Sequence, residues 1–434
     1  LKLALISPKD TTFTANPEFA SIFSNSVNLS RWKNVFTGFS PGLLVVAGLT
    51  PASWDIDLID ENIEDLDFTK NYDLIGVTAF TQQADRAYEI AREFKTRNIT
   101  TVIGGIHASV LPDEAKKHFD TVVVGEAEPL WSTVLEDFSR NCLKPFYRSN
   151  EQVDLSVSPF PRYDLLAEND YETLWIQTTR GCPHDCEFCA ATNIFGKKFR
   201  HKSIKQILDE INFVKKNFKH VRIAFADDNL FADRPFARRL LAELTPQNIR
   251  YHAQSDISIA DDEQLLDLIA KSGCAFLLIG FESVIEESLK GIDRADWKFT
   301  HAKNYSAAIR KIQSRGIGVQ GAFIVGLDND TKEVFTKLTD FAVENNLFET
   351  QVTICTPLPG TRLRSRLEQE GRLLPTPWSR HNFTQVNFLP KNMTTQELEE
   401  GFLNIYKSID SRNGYYRKME YFKKIKRELY KKAP

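Results

Sequence analysis

No apolar run in this 434-residue chain reaches the ~18–20 residues that a bilayer-spanning helix needs. The opening segment LKLALISPKD is an amphipathic strand followed by proline, without the long apolar stretch and small-residue cleavage site of a signal peptide, so a cytoplasmic location is expected. Charge of one sign is also missing. The 55 Lys and Arg stand against 58 Asp and Glu, and a net charge of −3 gives no global attraction to nucleic acid or anionic lipid, so nucleic acid is not an expected partner. Cysteine is sparse: of six, three fall within eight positions and the others are scattered at Cys142, Cys274 and Cys355. That is no disulfide framework, and a metal site in a reducing compartment fits it better. Repeats of solenoid period and low-complexity tracts are absent too.

What is present suffices for two or three domains at roughly 100–200 residues each. Over residues 1–142, apolar runs of strand type (KLALIS, WDIDLID, LIGVTAF, TTVIGG, DTVVVGEAE) alternate with helical stretches such as DRAYEIAREFKTRN and PDEAKKHF. Strands separated by helices imply βαβ crossovers, so this part is expected to be a doubly wound parallel α/β sheet with any ligand at the strand C-terminal ends. Residues 143–170 are turn-rich, broken by Pro145, Pro159 and Pro161, and are expected to be a linker. A second series of six strand–helix units fills 171–371, from TLWIQTT to ETQVTICTPLPG, and predicts a partial (β/α)6 barrel. Residues 372–434 are expected to be a mainly helical extension that ends in the basic RKMEYFKKIKRELYKKAP, whose charges read as a solvated helix face or an attraction for an anionic surface.

The sequence TTRGCPHDCEFCAA places Cys182, Cys186 and Cys189 as C-x3-C-x2-C directly after the first barrel strand. A structural zinc normally takes four protein ligands, whereas a 4Fe-4S cluster held by three thiolates leaves one iron open. His184 is the other metal-ligand type in the loop, but it lies too close to the flanking cysteines to close easily on the same site. The motif resembles the signature of the radical S-adenosylmethionine superfamily, in which an aromatic residue precedes the third cysteine; Phe188 fills that place. The resemblance implies that the three cysteines hold a 4Fe-4S cluster. It also implies that Phe188 packs beside the adenine and that reductive cleavage of S-adenosylmethionine gives a 5′-deoxyadenosyl radical.

Further residues follow from the same resemblance. Asp228 and Asn229 of FADDN stand where the superfamily often has a Gly-Gly-Glu motif for the methionine amino group; alternatively, Asp227 and Asp228 cap the helix entered at PFARRLLAEL. Glu282 and Ser283 of GFES are expected at the barrel mouth facing S-adenosylmethionine. In GAFIVGLD, Val325, Gly326 and Leu327 correspond to a segment that approaches adenine, and Gly326 has no β-carbon to obstruct it. Cys274 and Cys355 read as small core residues.

The order of an α/β domain, a radical barrel and a helical extension resembles the cobalamin-binding branch of the superfamily. Thr78, Thr81, Gly104, Gly105 and Gly125 sit at expected strand ends and are the implied cobalamin contacts. No D-x-H-x-x-G motif occurs, so His107 is not an expected cobalt ligand. The implied activity is cobalamin-dependent methylation of an unactivated carbon in a small-molecule or lipid substrate, with an external one-electron donor such as flavodoxin or ferredoxin. Cyclisation, rearrangement or carbon–carbon bond formation without cobalamin is the alternative, and a non-catalytic iron–sulfur carrier or sensor is the reading from a different class. A sulfur-inserting methylthiotransferase would need a second set of three cysteines, and the first domain has Cys142 alone.

Overall fold

A computed structural model describes residues 1–26, 29, 38–149, 151–168, 170–409 and 412–432. Six parallel strands build the first sheet: β1 (Lys2–Ser7), β2 (Asp55–Asp60), β3 (Leu74–Thr78), β4 (Thr100–Gly104), β5 (Thr121–Val124) and β6 (Phe146–Arg148), in the spatial order β2-β1-β3-β4-β5-β6. β1 and β3 are buried almost throughout, as strands covered on both faces must be. One cover is the helix Ala84–Thr96, which buries Ala87, Ile90, Ala91 and Phe94 at helical spacing. The helices Pro41–Leu49 and Trp131–Ser139 cover the other face. Strand order reverses between β1 and β3, the point where such sheets bind ligands beyond their C-terminal ends.

β6 is a departure from the sequence reading, because it lies inside the segment 143–170 expected to be a linker. Three residues are too few to show periodicity, and an edge position tolerates the neighbouring prolines. The rest of that segment is a strap rather than a free connection. Leu155 and Tyr163 are fully buried, and the Tyr163 hydroxyl donates to Glu210 at 3.0 Å, a carboxylate that also holds Lys202 at 2.5 Å.

The second sheet contains β7 (Thr173–Ile176), β10 (Arg222–Phe225), β11 (Tyr251–Ser255), β12 (Cys274–Glu282), β13 (Gly318–Val325) and β14 (Glu349–Ile354), parallel and in chain order; β8 (Thr179–Arg180) and β9 (Arg200–His201) form a separate antiparallel ribbon. β7 and β14 remain unpaired with each other, so the partial barrel is open between them. Among the described residues, amphipathic helices back the strands, and the one at Ile204–Asn217 opens with a reciprocal Ser203–Gln206 cap. The helix Arg234–Leu244 is capped by Asp233, which accepts from the Phe236 N–H at 2.9 Å, so the alternative role of Asp227 and Asp228 as its caps does not hold.

In the C-terminal extension, the helix Thr395–Ile409 packs on the helix Glu333–Glu344 and on β14. The Tyr406 hydroxyl donates to the Val352 carbonyl at 2.9 Å and accepts from the Val352 N–H at 3.0 Å, which satisfies the backbone of an exposed edge strand. The basic segment forms the helix Arg412–Lys432. No helix among the described residues is long and apolar enough to cross a membrane. One apolar cluster runs from Leu3 and Leu5 through Tyr163 to Phe402, so the two sheets share a continuous core.

Candidate active site

Beyond β7 the chain is anchored before the cysteines begin. Thr178 and Thr179 each give a backbone and a hydroxyl hydrogen bond to the buried Asp227, both at 2.8 Å from Thr178. Burial pushes the Asp227 carboxyl up to about 6 while these donors pull it down. Gly181 then turns the chain at φ +97°, where a β-carbon would strike the Lys198 carbonyl. Downstream, the backbone of Cys186 forms an isolated antiparallel β-bridge with that of Asp293, and the Glu187 N–H donates to the Ile292 carbonyl at 2.8 Å. Arg366 forks onto the Glu187 carboxylate at 2.8 and 3.2 Å.

Cys182, Cys186 and Cys189 are partly buried free thiols, and burial pushes Cys182 up to about 11 and raises the other two as well. Such thiols ionise readily only against a cation, which iron supplies. Among the described residues no three His, Cys, Asp or Glu side chains are grouped to hold one metal ion. A cubane cluster makes no such demand, since it takes one thiolate at each of three irons. His184 is engaged elsewhere: its Nε2 lies 3.2 Å from Asp256 and its ring packs on Trp297 at 4.6 Å. Phe188 packs on the barrel core.

The expected S-adenosylmethionine contacts fall into two groups. Asp228 projects into the central cavity without a hydrogen bond or ion pair to any described residue, and the enclosing walls push its carboxyl up to about 6. Its neighbour Asn229 turns away and donates to Asp256 at 2.7 Å. Glu282 is buried at φ +63°, where the β12–β13 register slips, and meets the Lys298 ammonium at 2.7 Å; Lys298 also donates to the Gly280 carbonyl at 2.9 Å. This pair acts electrostatically on the Cys186 thiol. Sequence reasoning missed Lys298, which carries no motif in DWKFT. The Ser283 hydroxyl accepts from the Ile285 N–H at 3.0 Å, a local turn.

At Gly326 the close approach is to the protein itself. A β-carbon there would lie 2.7 Å from Leu398, and Asp330 takes the N–H groups of Gly326 and Leu327 at 2.9 and 3.0 Å. The Val325 carbonyl accepts from the Cys355 N–H at 2.9 Å. The glycine signal was legible, but the C-terminal helix that demands it lies more than seventy residues away. Cys274 and Cys355 are buried, Cys274 at the start of β12 and Cys355 just past β14.

A cavity of about 1090 Å³ joins the C-terminal ends of the first sheet to the inside of the second. Thr78, Gly104, Gly105 and Gly125 line it, while Thr81 is buried behind the wall. The glycines differ in kind. Gly105, at φ +86°, and Gly125, at φ +92°, are required by their own backbone and by close neighbours. A β-carbon on Gly104 would meet nothing nearer than Val123 at 3.8 Å, so that position is bare toward the cavity and suits a flat macrocycle at the switch point. His107 points elsewhere, with Nε2 2.8 Å from the Tyr88 hydroxyl and the Trp378 ring edge-on at 5.4 Å.

The GEAE segment after β5 does more than end a strand. Glu126 accepts two bonds from Arg200 at 2.7 and 2.8 Å and lies 3.6 Å from Arg180, whose other nitrogen donates to Glu128 at 2.7 Å. Burial raises the Glu128 carboxyl, but the charge and hydrogen bonds of Arg180 hold it below its usual range. Arg180 and Arg200 sit on the ribbon flanking the cysteine loop, so this clamp ties the first domain to the cluster site.

The sequence pattern of the Radical SAM superfamily matches residues 176–342, that of the B12 binding domain matches 35–134, and that of a domain of unknown function matches 361–433. The bacteriochlorophyllide d C-8(2)-methyltransferase of Chlorobaculum tepidum is 32% identical over 359 residues, which cover 79% of each chain. The chain therefore belongs to the radical S-adenosylmethionine superfamily, in the branch with a B12 binding domain. It is a radical enzyme whose cofactors are a 4Fe-4S cluster, S-adenosylmethionine and cobalamin. The hopanoid C-2 methylase of Rhodopseudomonas palustris is 27% identical over 77% of this chain and 65% of its own. Two solved structures share the fold. The cobalamin-dependent radical enzyme OxsB matches with a TM-score of 0.68 over 92% of this chain and 66% of its own, at 14% identity. The methyltransferase TsrM from Kitasatospora setae matches with a TM-score of 0.66 over 87% and 79%, at 17% identity.

Proposed function

We propose that the protein is a cobalamin-dependent C-methyltransferase that acts on an unactivated carbon of a small polycyclic or lipid-like molecule. The observation that carries this reading is the shared cavity, into which the strand ends of the first domain and the interior of the partial barrel both open. When bound, the cofactors supply hydrogen abstraction by a 5′-deoxyadenosyl radical and a transferable methyl group. The protein's own residues hold and separate these parts. Cys182, Cys186 and Cys189 ligate the cluster, and Asp227 fixes the root of their loop. Asp228, an unpaired carboxylate of the cavity, faces the S-adenosylmethionine ammonium, and Glu282 with its Lys298 partner sets the electrostatics at Cys186. Gly104, Gly105, Gly125 and Thr78 form the wall for cobalamin. Together the two domains exclude water from a reactive radical. Six free thiols suit a reducing cytoplasm, with flavodoxin or ferredoxin as the electron donor.

The test is to purify the protein without oxygen, reconstitute it with iron, sulfide and hydroxocobalamin, and reduce it with titanium(III) citrate in the presence of S-adenosylmethionine labelled in the methyl group. Labelled methyl should pass to a polycyclic acceptor, with 5′-deoxyadenosine formed and cobalt retained through gel filtration. Deoxyadenosine with no cobalt retained would refute methylation and leave the radical enzyme.

A further inference from the structure

The interior of the partial barrel is built in layers, and two adjacent layers carry amides. Strand register places Gln254, Leu278, Gln320 and Glu349 side by side on β11, β12, β13 and β14. One step nearer the cluster, Gly280, Ala322 and Gln351 align. One step further away are Trp175, Ala224, His252 and Phe276. Side chains two residues apart on a strand share a face, so the three layers point to the same side of the sheet, and Trp175, Gln254, Gln320 and Gln351 line the cavity there. The lower layer is a closed aromatic floor, with Trp175 edge-on to His252 at 5.4 Å and His252 stacked on Phe276 at 4.6 Å.

The amides have hydrogen-bonding capacity left over. Gln320 is fully buried and donates to Gln351 at 3.1 Å, but its Oε1 has no partner. Swapping oxygen and nitrogen on both amides would move the vacancy without filling it. Gln254 makes no side-chain hydrogen bond among the described residues, and all three line the cavity. The cations nearby are committed or remote: Arg180 is held by Glu126 and Glu128, Lys418 lies 3.5 Å from Glu349, and Lys9 follows β1 in the first domain. An anion brought to this layer would be desolvated with no counter-charge and with the Asp228 carboxylate above it.

We propose that Gln254, Gln320 and Gln351 form the substrate-recognition belt, and that it takes an uncharged amphipathic molecule whose apolar body rests on the Trp175 floor. Its carbonyl, amide or hydroxyl groups pair with the belt, and a carboxylate or phosphate at the same place is rejected. This rests on the methyltransferase reading for the idea that a polycyclic acceptor enters the barrel, and it narrows the class of that acceptor.

The experiment uses reconstituted holoprotein and a matched pair of probes, cholic acid and its primary amide cholamide, which differ only at the polar end, an anionic acceptor in one and an uncharged donor and acceptor in the other. Binding is read by equilibrium dialysis at pH 7.5. Cholamide should bind at least tenfold more tightly than cholate. Gln320→Leu and Gln254→Leu should each weaken cholamide about tenfold, the effect of one lost hydrogen bond, and leave cholate unchanged. Two variants are used so that one folding failure, seen in thermal unfolding, does not decide the outcome. Equal affinity for the probes, tighter cholate, no saturable binding of either, or a preference that survives in both folded variants overturns the proposal. Cobalt retention and 5′-deoxyadenosine formation are measured on the same samples. They do not use the belt, so their loss would count against the enzymatic reading, whereas their survival beside a failed preference would count against the belt alone.

Discussion

Replacing Glu126 with Ala removes the carboxylate that receives both Arg200 bonds, at 2.7 and 2.8 Å, and that also stands 3.6 Å from Arg180. All three side chains are about 7% exposed, so solvent does little to screen the loss. Arg200 would keep its bonds to the carbonyls of Val153 and Phe195, at 2.7 and 2.9 Å, but its charge would be buried without compensation. Breaking a buried pair from one side costs about 3–5 kcal/mol. The expected result is a fall of that size in unfolding free energy, measured by urea titration with circular dichroism. Arg200→Met alone should cost a similar amount, and the double variant much less than the sum, giving a coupling of at least ~1.5 kcal/mol. The same variants should lose cluster absorbance at lower urea than wild type, because the ribbon that carries Arg180 and Arg200 flanks Cys182. A coupling below about 0.5 kcal/mol, the usual range for an exposed pair, would show that the clamp is not a structural tie.

Changing any of Cys182, Cys186 or Cys189 to Ala should remove the visible absorption of the cluster and abolish 5′-deoxyadenosine formation, while Cys274→Ala leaves both; full iron content in the triple variant would end the assignment. Gly104→Val places a side chain in open cavity without backbone strain, so cobalt retention after gel filtration should fall while the iron–sulfur spectrum and thermal unfolding stay put; undiminished cobalt would move the cofactor elsewhere. Burial lowers the pKa of His107 from 6.5 to about 4, with Glu114 and Asp85 opposing. Between those values the unfolded chain binds a proton that the folded one refuses, so stability falls as pH drops through this window, by about 3 kcal/mol in all. His107→Gln should make the decline in urea midpoint between pH 7 and pH 5 shallower, with His252 and His381, which burial lowers to about 4 as well, supplying the remainder; a slope equal to wild type would contradict it.

Much of the fold was legible because it is periodic. KLALIS, LIGVTAF and CAFLLIGFES are continuous apolar runs, and the helices between them bury residues at a spacing of three and four. The cysteine loop was legible because its three cysteines sit within eight residues, so a local window contains the motif. What stayed hidden depends on distant pairing. β6 is three residues long, and its partner strand alone makes it a strand. Lys298 acquires its meaning from Glu282, and Gly326 from Leu398, contacts that no local window contains. Asp227 and Asp228 are adjacent and chemically alike in sequence. The loop that follows β10 separates them, turning Asp227 onto Thr178 and Thr179 and leaving Asp228 open to the cavity.

The incompleteness of the barrel explains how one chain serves two kinds of cofactor. Eight strands closed on themselves would fill their interior with packed layers. With six, the gap between β7 and β14 has to be covered by something else, or the edges would seek other partners. Tyr406 satisfies β14 at Val352 on one side, and on the other Gly38 lies against Trp175 of β7 while the Phe39 ring meets Tyr171 just before that strand. Both coverings line the cavity, so the segments that protect the edges also shape the chamber. A cavity wall made of edge protection cannot be deleted without exposing strand backbone, and Tyr406→Phe carries that argument to a measurement. Losing two hydrogen bonds to Val352 should cost about 1–3 kcal/mol of stability at unchanged cavity shape. Hydrogen exchange should accelerate at the Val352 amide and not at Val319 in the middle of the sheet; equal protection in variant and wild type would mean that the edge is covered by something other than this tyrosine.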